Sequence, residues 1–363
     1  MRILVVNAGS SSLKLSLLDD EGTACEENLP ISRGQFEPSA VASALGRISG
    51  DSADAVGHRV VHGGRQFVTA VELDAAVRRK LDDLVDLAPL HQPKSLAGID
   101  AVSQVLPGIP AVACFDTAFH AGMPAAAATY ALPPEWRKRW ELRRYGFHGL
   151  SHAYATRRVS ELLGHVPERL VVCHLGSGAS LCAVRDGRSA DTTMGFTPLE
   201  GLVMGTRSGS VDPGLVLWLA EHAGTPPAEL AATLEYRSGL LGLAGTADMR
   251  EVQAGADRGD DAAGLALDVY LHRLRGLVAS MAASLGGLDT LVFTGGVGEH
   301  AAGVRARAAD GLAFLGVGLD EDRNARADGD TDITVDGAAV RAFVVAARED
   351  IEIARQVREV LQQ

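Results

Sequence analysis

A short apolar run that drops into a turn of small residues occurs twice in this chain, roughly half its length apart. Residues 3–6, Ile-Leu-Val-Val, lead into Asn7-Ala8-Gly9-Ser10-Ser11-Ser12. Residues 170–173, Leu-Val-Val-Cys, lead into His174-Leu175-Gly176-Ser177-Gly178-Ala179-Ser180. After the first turn Leu13, Leu15 and Leu17 alternate with Lys14 and Ser16, the period of a strand with one buried face. After the second, 181–184 runs into a charged turn at Arg185-Asp186-Gly187. Each segment reads as a β-hairpin, and the repeat predicts an internal duplication, one copy per domain. A length of 363 residues suits two domains.

A third strand at 291–294 ends in Gly295-Gly296-Val297-Gly298-Glu299-His300, read as another glycine turn. Helical spacing covers 74–87, 151–163, 265–285 and 351–361, with Ser151 as an N-cap. Strands alternating with helices predict α/β layers. The polar stretch 320–334 reads as a surface loop ahead of a last strand at 342–345. With 34 basic and 46 acidic residues the net charge is −12, which argues against a nucleic-acid or anionic-membrane partner. No apolar run approaches the ~18 residues of a membrane span, and the N-terminal residues lack a signal-peptide pattern. Cys25, Cys114, Cys173 and Cys182 form no Cys-x-x-Cys and read as buried free thiols of a cytoplasmic protein.

Three strands ending in glycine- or serine-rich turns point to phosphate, because such turns let backbone N–H groups face an anion. None is a Walker A loop and none matches Gly-x-Gly-x-x-Gly. Arg59 lies in Gly57-His58-Arg59-Val60-Val61-His62-Gly63-Gly64, and Arg207 in Met204-Gly205-Thr206-Arg207-Ser208-Gly209. Among small residues a guanidinium fork is presented bare to an anion. The pairs His58/His62 and His148/His152 have a zinc-like spacing, but the neighbouring glycines and the absence of His-Glu-x-x-His argue against zinc. Asp116 and Glu349 are the acidic candidates for a hard cation.

These segments together resemble the acetate kinase (acetokinase) family of the actin-like, sugar-kinase ATPase superfamily. The resemblance is carried by Asn7-Ala8-Gly9-Ser10-Ser11-Ser12-Leu13-Lys14 and the Arg59 segment, then by Leu87-Ala88-Pro89-Leu90-His91 and Phe115-Asp116-Thr117-Ala118-Phe119-His120. It continues through Arg144-Tyr145-Gly146-Phe147-His148-Gly149, His174-Leu175-Gly176, Thr197-Pro198-Leu199-Glu200-Gly201, the Arg207 segment and Phe293-Thr294-Gly295-Gly296-Val297-Gly298-Glu299. It implies two duplicated ribonuclease-H-like domains, residues 1–118 plus 349–363 and residues 119–348, with an interdomain active-site cleft. The implied reaction is reversible transfer of the ATP γ-phosphoryl to acetate, giving acetyl phosphate and ADP. A propionate- or butyrate-preferring kinase and a non-catalytic nucleotide-binding paralogue are the alternatives.

By the same resemblance Asn7 and Glu349 match the Mg²⁺-site residues, with Mn²⁺ as a substitute metal. Arg59 and Arg207 match the arginines on the substrate carboxylate and the moving phosphoryl, His148 a donor to that phosphoryl, and Asp116 the catalytic aspartate. Val61, Leu90, Phe147 and Pro198 match the apolar pocket for the substrate methyl. Nucleotide contacts map to Ser10, Ser12 and Lys14, to His174, Leu175, Gly176, Ser177 and Gly178, to Asp248, Met249 and Arg250, and to Gly296, Val297, Gly298, Glu299 and His300. The family also implies a homodimer in the cytoplasm. The chemistry agrees with these residue types: a carboxylate is already ionised at pH 7, so Asp116 reads as an organiser of Arg and Mg²⁺ rather than a proton acceptor. The chain departs from the family at Ser177 and His300, where asparagine is usual, at Leu150 for threonine, at Ala347-Arg348-Glu349-Asp350 for Thr-Asn-Glu-Glu, and in a shorter segment before Arg59. The first two departures predict a weakened grip on ATP.

Overall fold

The computed structural model describes residues 1–8, 12–19, 22–30, 38–48 and 53–362. The chain divides into two compact units. The first comprises Met1–Ala121, Phe147–Tyr154 and Arg348–Gln363, the second Gly122–Gly146 and Ala155–Ala347. Residues 119–121, 147–154 and 348 therefore lie in the first unit, whereas the sequence reading assigns them to the second. The reason is local. Leu150 is buried in the first unit's core with Val112 and Cys114, and the Gly149 N–H donates to the Asp116 carbonyl at 2.8 Å.

The first unit carries β1 (Ile3–Ala8), β2 (Ser12–Leu18), β3 (Thr23–Pro30), β4 (Ala55–Val60), β5 (Val71–Glu72) and β6 (Ala111–Phe115). They form one sheet in the order β3-β2-β1-β4-β6-β5, with β1, β4 and β6 parallel and the rest antiparallel to their neighbours. The second unit carries β7 (Arg169–Leu175), β8 (Ala179–Arg185), β9 (Arg188–Thr192), β10 (Thr290–Thr294), β11 (Thr331–Asp332) and β12 (Arg341–Val344). Its sheet, β9-β8-β7-β10-β12-β11, repeats the first strand for strand and direction for direction. The duplication read from two hairpins thus extends to whole sheets.

The run 3–6 is apolar without alternation because β1 is covered on both faces. Ile3 and Val5 pack against Ile353, Ala354 and Val357 of the helix Glu349–Leu361. Leu4 and Val6 meet the helices Pro38–Ile48 and Gln92–Val105 on the other face, with Leu13, Leu15 and Leu17. Gly57 lets the last helix sit close to the sheet, since a Cβ there would stand 2.5 Å from Ile353 Cγ2.

Four local expectations are corrected. Ser151 is not an N-cap: the helix runs Gly149–Leu163 and starts directly after His148, whose φ of 57° turns the chain. Residues 295–300 form a short helix, Gly295–His300, not an open turn. The stretch 320–334 is not a surface loop. Asp320 caps the helix Glu321–Ala325, β11 follows, and Ile333 is fully buried. Cys25 is exposed on β3, whereas Cys114, Cys173 and Cys182 are buried free thiols. The predicted helices near 74–87 and 265–285 form as Ala75–Asp82, capped by Asp74, and Asp261–Leu285, capped by Asp260.

Candidate functional site

In the first unit the carboxyl ends of three parallel strands bring Asn7 (β1), Arg59 (β4) and Asp116 (just past β6) side by side, and the first residue of the last helix adds Glu349. Arg59 Nε donates to Asp116 Oδ1 at 3.1 Å and Nη2 donates to Oδ2, a bidentate fork. Arg59 Nη1 donates to Asn7 Oδ1 at 3.3 Å, and Asn7 Nδ2 donates to Glu349 Oε2 at 3.0 Å. Glu349 Oε2 also lies 3.9 Å from Arg59 Nε. All three nitrogens of Arg59 are therefore occupied within the unit. Asp116 is 0% exposed. Burial pushes its carboxyl up, to about 6, against the downward pull of Arg59. Desolvation works against the Arg59 charge, but Asp116 and Glu349 outweigh it and raise its pKa.

His148 follows buried Phe147 and precedes Gly149, where a Cβ would stand 2.1 Å from the Asp116 carbonyl oxygen. Its left-handed backbone is therefore set by the contact that anchors the next residue. The Phe147 ring meets the His62 ring edge-on at 5.5 Å, and the Phe147 carbonyl bonds His120 Nε2 at 3.1 Å. Val61 is buried beside this arrangement in sequence, whereas Leu90 is 38% exposed. Lys14 faces Asn7 across the β1–β2 ladder and pairs with Glu26 at 3.0 Å. Ser10 lies outside the described residues, and of Ser12 only the backbone is described, at the start of β2.

In the second unit a cavity of about 650 Å³ gathers residues that are remote in sequence. Gly176 and Ser177 follow β7, Asp248, Met249 and Arg250 open the helix Met249–Asp257, and Gly296, Val297 and His300 belong to the short helix after β10. Asp248 caps its helix through the Arg250 N–H at 2.9 Å, and its side-chain bonds with Arg250 hold its carboxyl down, to about 2. His174, Leu175, Gly178, Gly298 and Glu299 do not line the cavity. Leu175 and Gly298 are buried behind it, and Glu299 Oε1 accepts the Ala347 N–H at 3.0 Å. Sequence reading missed Gly205, Gln253 and Tyr270 in its wall. It also missed Arg305, a buried guanidinium that donates to the carbonyls of Gly298 (2.9 Å) and Glu299 (2.7 Å) and to both oxygens of Asn324. Burial lowers the Arg305 pKa to about 10.

Arg207 sits outside that lining. Its Nε lies 2.7 Å from Glu235 Oε1, and Nη1 donates to the Pro198 carbonyl at 3.0 Å and contacts Met204 Sδ at 3.6 Å. Nη2 meets no partner among the described residues. The loop bearing Pro198 is held by Glu200, which accepts from Arg144 Nη2 (2.7 Å) and from the Tyr130 hydroxyl (2.6 Å). The arrangement leaves Arg207 Nη2 open to an anion in the second unit, and gathers a fully bonded Arg59 with hard oxygen donors in the first.

The sequence profile described as the acetokinase family matches residues 39–355. The chain belongs to that family. A relative named acetate kinase, from Leifsonia xyli subsp. xyli, is 46% identical over 98% of this chain and 97% of its own length. Two solved structures are similar across nearly the whole chain. Porphyromonas gingivalis acetate kinase has 36% identity and a TM-score of 0.90, covering 99% of each chain. A propionate kinase from Francisella tularensis has 37% identity and a TM-score of 0.91, covering 98% of each. Among the described residues of this acetokinase-family chain no helix is long and apolar enough to cross a membrane.

Proposed function

We propose that this chain is an acetate kinase that transfers the γ-phosphoryl of ATP reversibly to acetate. The observation that carries the reading is the Arg59–Asp116–Asn7–Glu349 cluster, in a chain similar to an acetate kinase over 98% of its length. The acetate oxygen attacks the γ-phosphorus directly. One O–P bond forms as the bond to the ADP oxygen breaks, and no proton is transferred. Arg59 and Arg207 hold the carboxylate and the phosphoryl in transit, and His148 donates to the phosphoryl. Asp116 orients Arg59. Val61, Phe147 and Pro198 carry the contacts to the methyl group. ATP binds the second unit's cavity through Gly176, Ser177, Asp248 to Arg250, Gly296, Val297 and His300, with Lys14 as a further phosphate contact.

Among the described residues no three His, Cys, Asp or Glu side chains converge as a metal cage. The Glu349 carboxylate and the Asn7 amide oxygen are hard donors that fit Mg²⁺, an ion that keeps waters and phosphate oxygens as its other ligands; that amide oxygen now accepts from Arg59 Nη1 and the amide nitrogen donates to Glu349, so these bonds would exchange when the ion binds. When bound there, Mg²⁺ neutralises charge on the nucleotide phosphates. Use of ATP supports a cytoplasmic location. A homodimer is supported by the helix Pro213–His222, none of whose residues is buried although Leu215, Leu217 (67% exposed) and Trp218 are apolar. A helix so apolar needs a cover, and the cover proposed is a second copy.

A hydroxamate trap of acyl phosphate tests the function, run with ATP and Mg²⁺ against acetate, propionate and butyrate, and with diphosphate in place of ATP. Acetate with ATP should give the highest kcat/KM. Absence of trapped product with every acid, or product only with diphosphate, overturns the reading. Preference for propionate would support the second reading, which the likeness to the Francisella propionate kinase favours.

A further inference from the structure

Glu235 is a carboxylate only 5% exposed, on the helix Pro227–Tyr236, and no sequence motif marks it. A side chain of that kind is rarely buried unless paired, and its Oε1 stands 2.7 Å from Arg207 Nε. The same stretch of chain grips the backbone on both sides of Arg207. The Ser208 N–H donates to the Leu234 carbonyl at 3.0 Å, and Thr206 Oγ1 to the Glu235 carbonyl at 2.9 Å. The Ser238 N–H donates to Thr206 and the Leu240 N–H to Met204, both at 2.9 Å. Gly239, at φ 61°, permits the approach, since a Cβ there would stand 2.2 Å from the Met204 carbonyl oxygen.

Backbone bonds fix where Arg207 starts, but they leave the guanidinium free to turn about its long stem. A planar guanidinium is oriented once two of its nitrogens are held. Glu235 holds Nε, and the Pro198 carbonyl with Met204 Sδ holds Nη1. Nη2 is what remains to meet an anion.

We propose that Glu235 is a positioning residue for phosphoryl transfer, fixing the plane of the Arg207 guanidinium so that Nη2 is aimed before substrate arrives. This rests on the reading of Arg207 as a substrate-contacting residue. Glu235 itself touches no substrate. Its loss costs alignment, and a misplacement near 1 Å can cost on the order of 10²-fold in rate.

The test compares the full-length wild type with Arg207→Ala, Glu235→Leu, Glu235→Gln and the double variant Arg207→Ala/Glu235→Leu. kcat and both KM values are measured with ATP, acetate and Mg²⁺, beside thermal melting. Glu235→Leu should lower kcat by ~10²-fold while KM for ATP stays within about twofold. Glu235→Gln should recover about tenfold of that loss, because an amide oxygen keeps a polar acceptor beside Nε without the charge. The double variant should be no slower than Arg207→Ala alone. A folded Glu235→Leu with near-normal kcat, or a double variant slower than Arg207→Ala by the full Glu235→Leu factor, overturns the proposal. If Glu235→Leu does not fold, Glu235→Gln decides on kcat with and without Arg207→Ala: an equal loss in both backgrounds overturns it. If Arg207→Ala turns over like wild type, the reading of Arg207 falls and this proposal with it. A slow Arg207→Ala beside a normal Glu235→Leu sinks the proposal alone.

Discussion

The two units repeat one sheet, and each carries an arginine held by a buried carboxylate, yet the two arginines are left in opposite conditions. Arg59 is closed: Asp116 takes Nε and Nη2, and Asn7 takes Nη1. Arg207 is open: Glu235, Pro198 and Met204 occupy Nε and Nη1 and leave Nη2. A closed guanidinium must trade existing bonds for a ligand, so its surroundings respond when an anion or a metal arrives. An open one adds a ligand without losing anything. The duplicated fold thus supplies one arginine whose bonds exchange on binding and one aimed in advance.

The largest expected effect is on turnover. Alanine at Arg59 or at Arg207 should lower kcat by at least ~10²-fold, given the ~10³–10⁵ that cationic stabilisers contribute in phosphoryl transfer. Lysine separates the two. At 59 an ammonium cannot reproduce the fork on Asp116, so Arg59→Lys should stay near the alanine level. At 207 one charge facing the anion retains part of the function, and Arg207→Lys should exceed Arg207→Ala by about tenfold. Equal losses with lysine at both positions would dissolve the distinction between closed and open.

Next in size is the metal. Glu349→Ala should raise the Mg²⁺ concentration for half activity by about tenfold, in line with loss of one of few protein ligands, and excess chelator should abolish turnover. Activity in chelator would remove Mg²⁺ from the scheme. Arg207→Lys should leave that Mg²⁺ requirement unchanged, since Arg207 has no part in the Asn7–Glu349 contact.

Comparable in size is acyl preference. Val61→Ala should raise the propionate-to-acetate ratio of kcat/KM about tenfold, the lower end of the ~10–200-fold that one methylene can decide. An unchanged ratio would place Val61 away from the acyl group. The smallest effect belongs to Ser177, which lines the second unit's cavity, proposed to take ATP, and is exposed. Ser177→Asn should lower KM for ATP a few-fold, the scale of a hydrogen bond to a charged group partly replaced by water, with KM for acetate fixed. No change would show that position 177 makes no important nucleotide contact.

Much of the frame was legible because the relevant signals are local. The unbroken run at 3–6 announced a buried strand, and Leu13, Leu15 and Leu17 announced one with a single buried face. Arg59 was legible from its glycine-flanked segment and Asp116 from its place at a strand end, whereas Asn7 and its role came from the family resemblance. Glu235 and Arg305 were not: a charged residue on a helix looks solvent-facing until a partner far along the chain covers it. The stretch 320–334 was misread for a related reason. Its charged residues hid Ile333 and Asn324, which are buried by β12 and Arg305 rather than by neighbours in sequence. Ser151 was misread because the helix start is dictated by the Gly149–Asp116 contact, which overrides a good capping side chain two residues later.

The contact between Asn7 and Glu349 joins positions 342 residues apart, and this separation has a consequence for biosynthesis. A nascent chain folds from its N-terminal side as it emerges, so β1 leaves the ribosome long before the helix Glu349–Leu361 that covers Ile3 and Val5. Until that helix arrives, one face of the first sheet is bare and the Asn7 side chain lacks its carboxylate partner. The second unit, encoded in between, can complete its own sheet during that wait. Translation that stops short of Glu349 therefore yields a chain with a finished second unit and an uncovered first sheet, a surface for chaperones or proteases to recognise, and no phosphoryl-transfer activity.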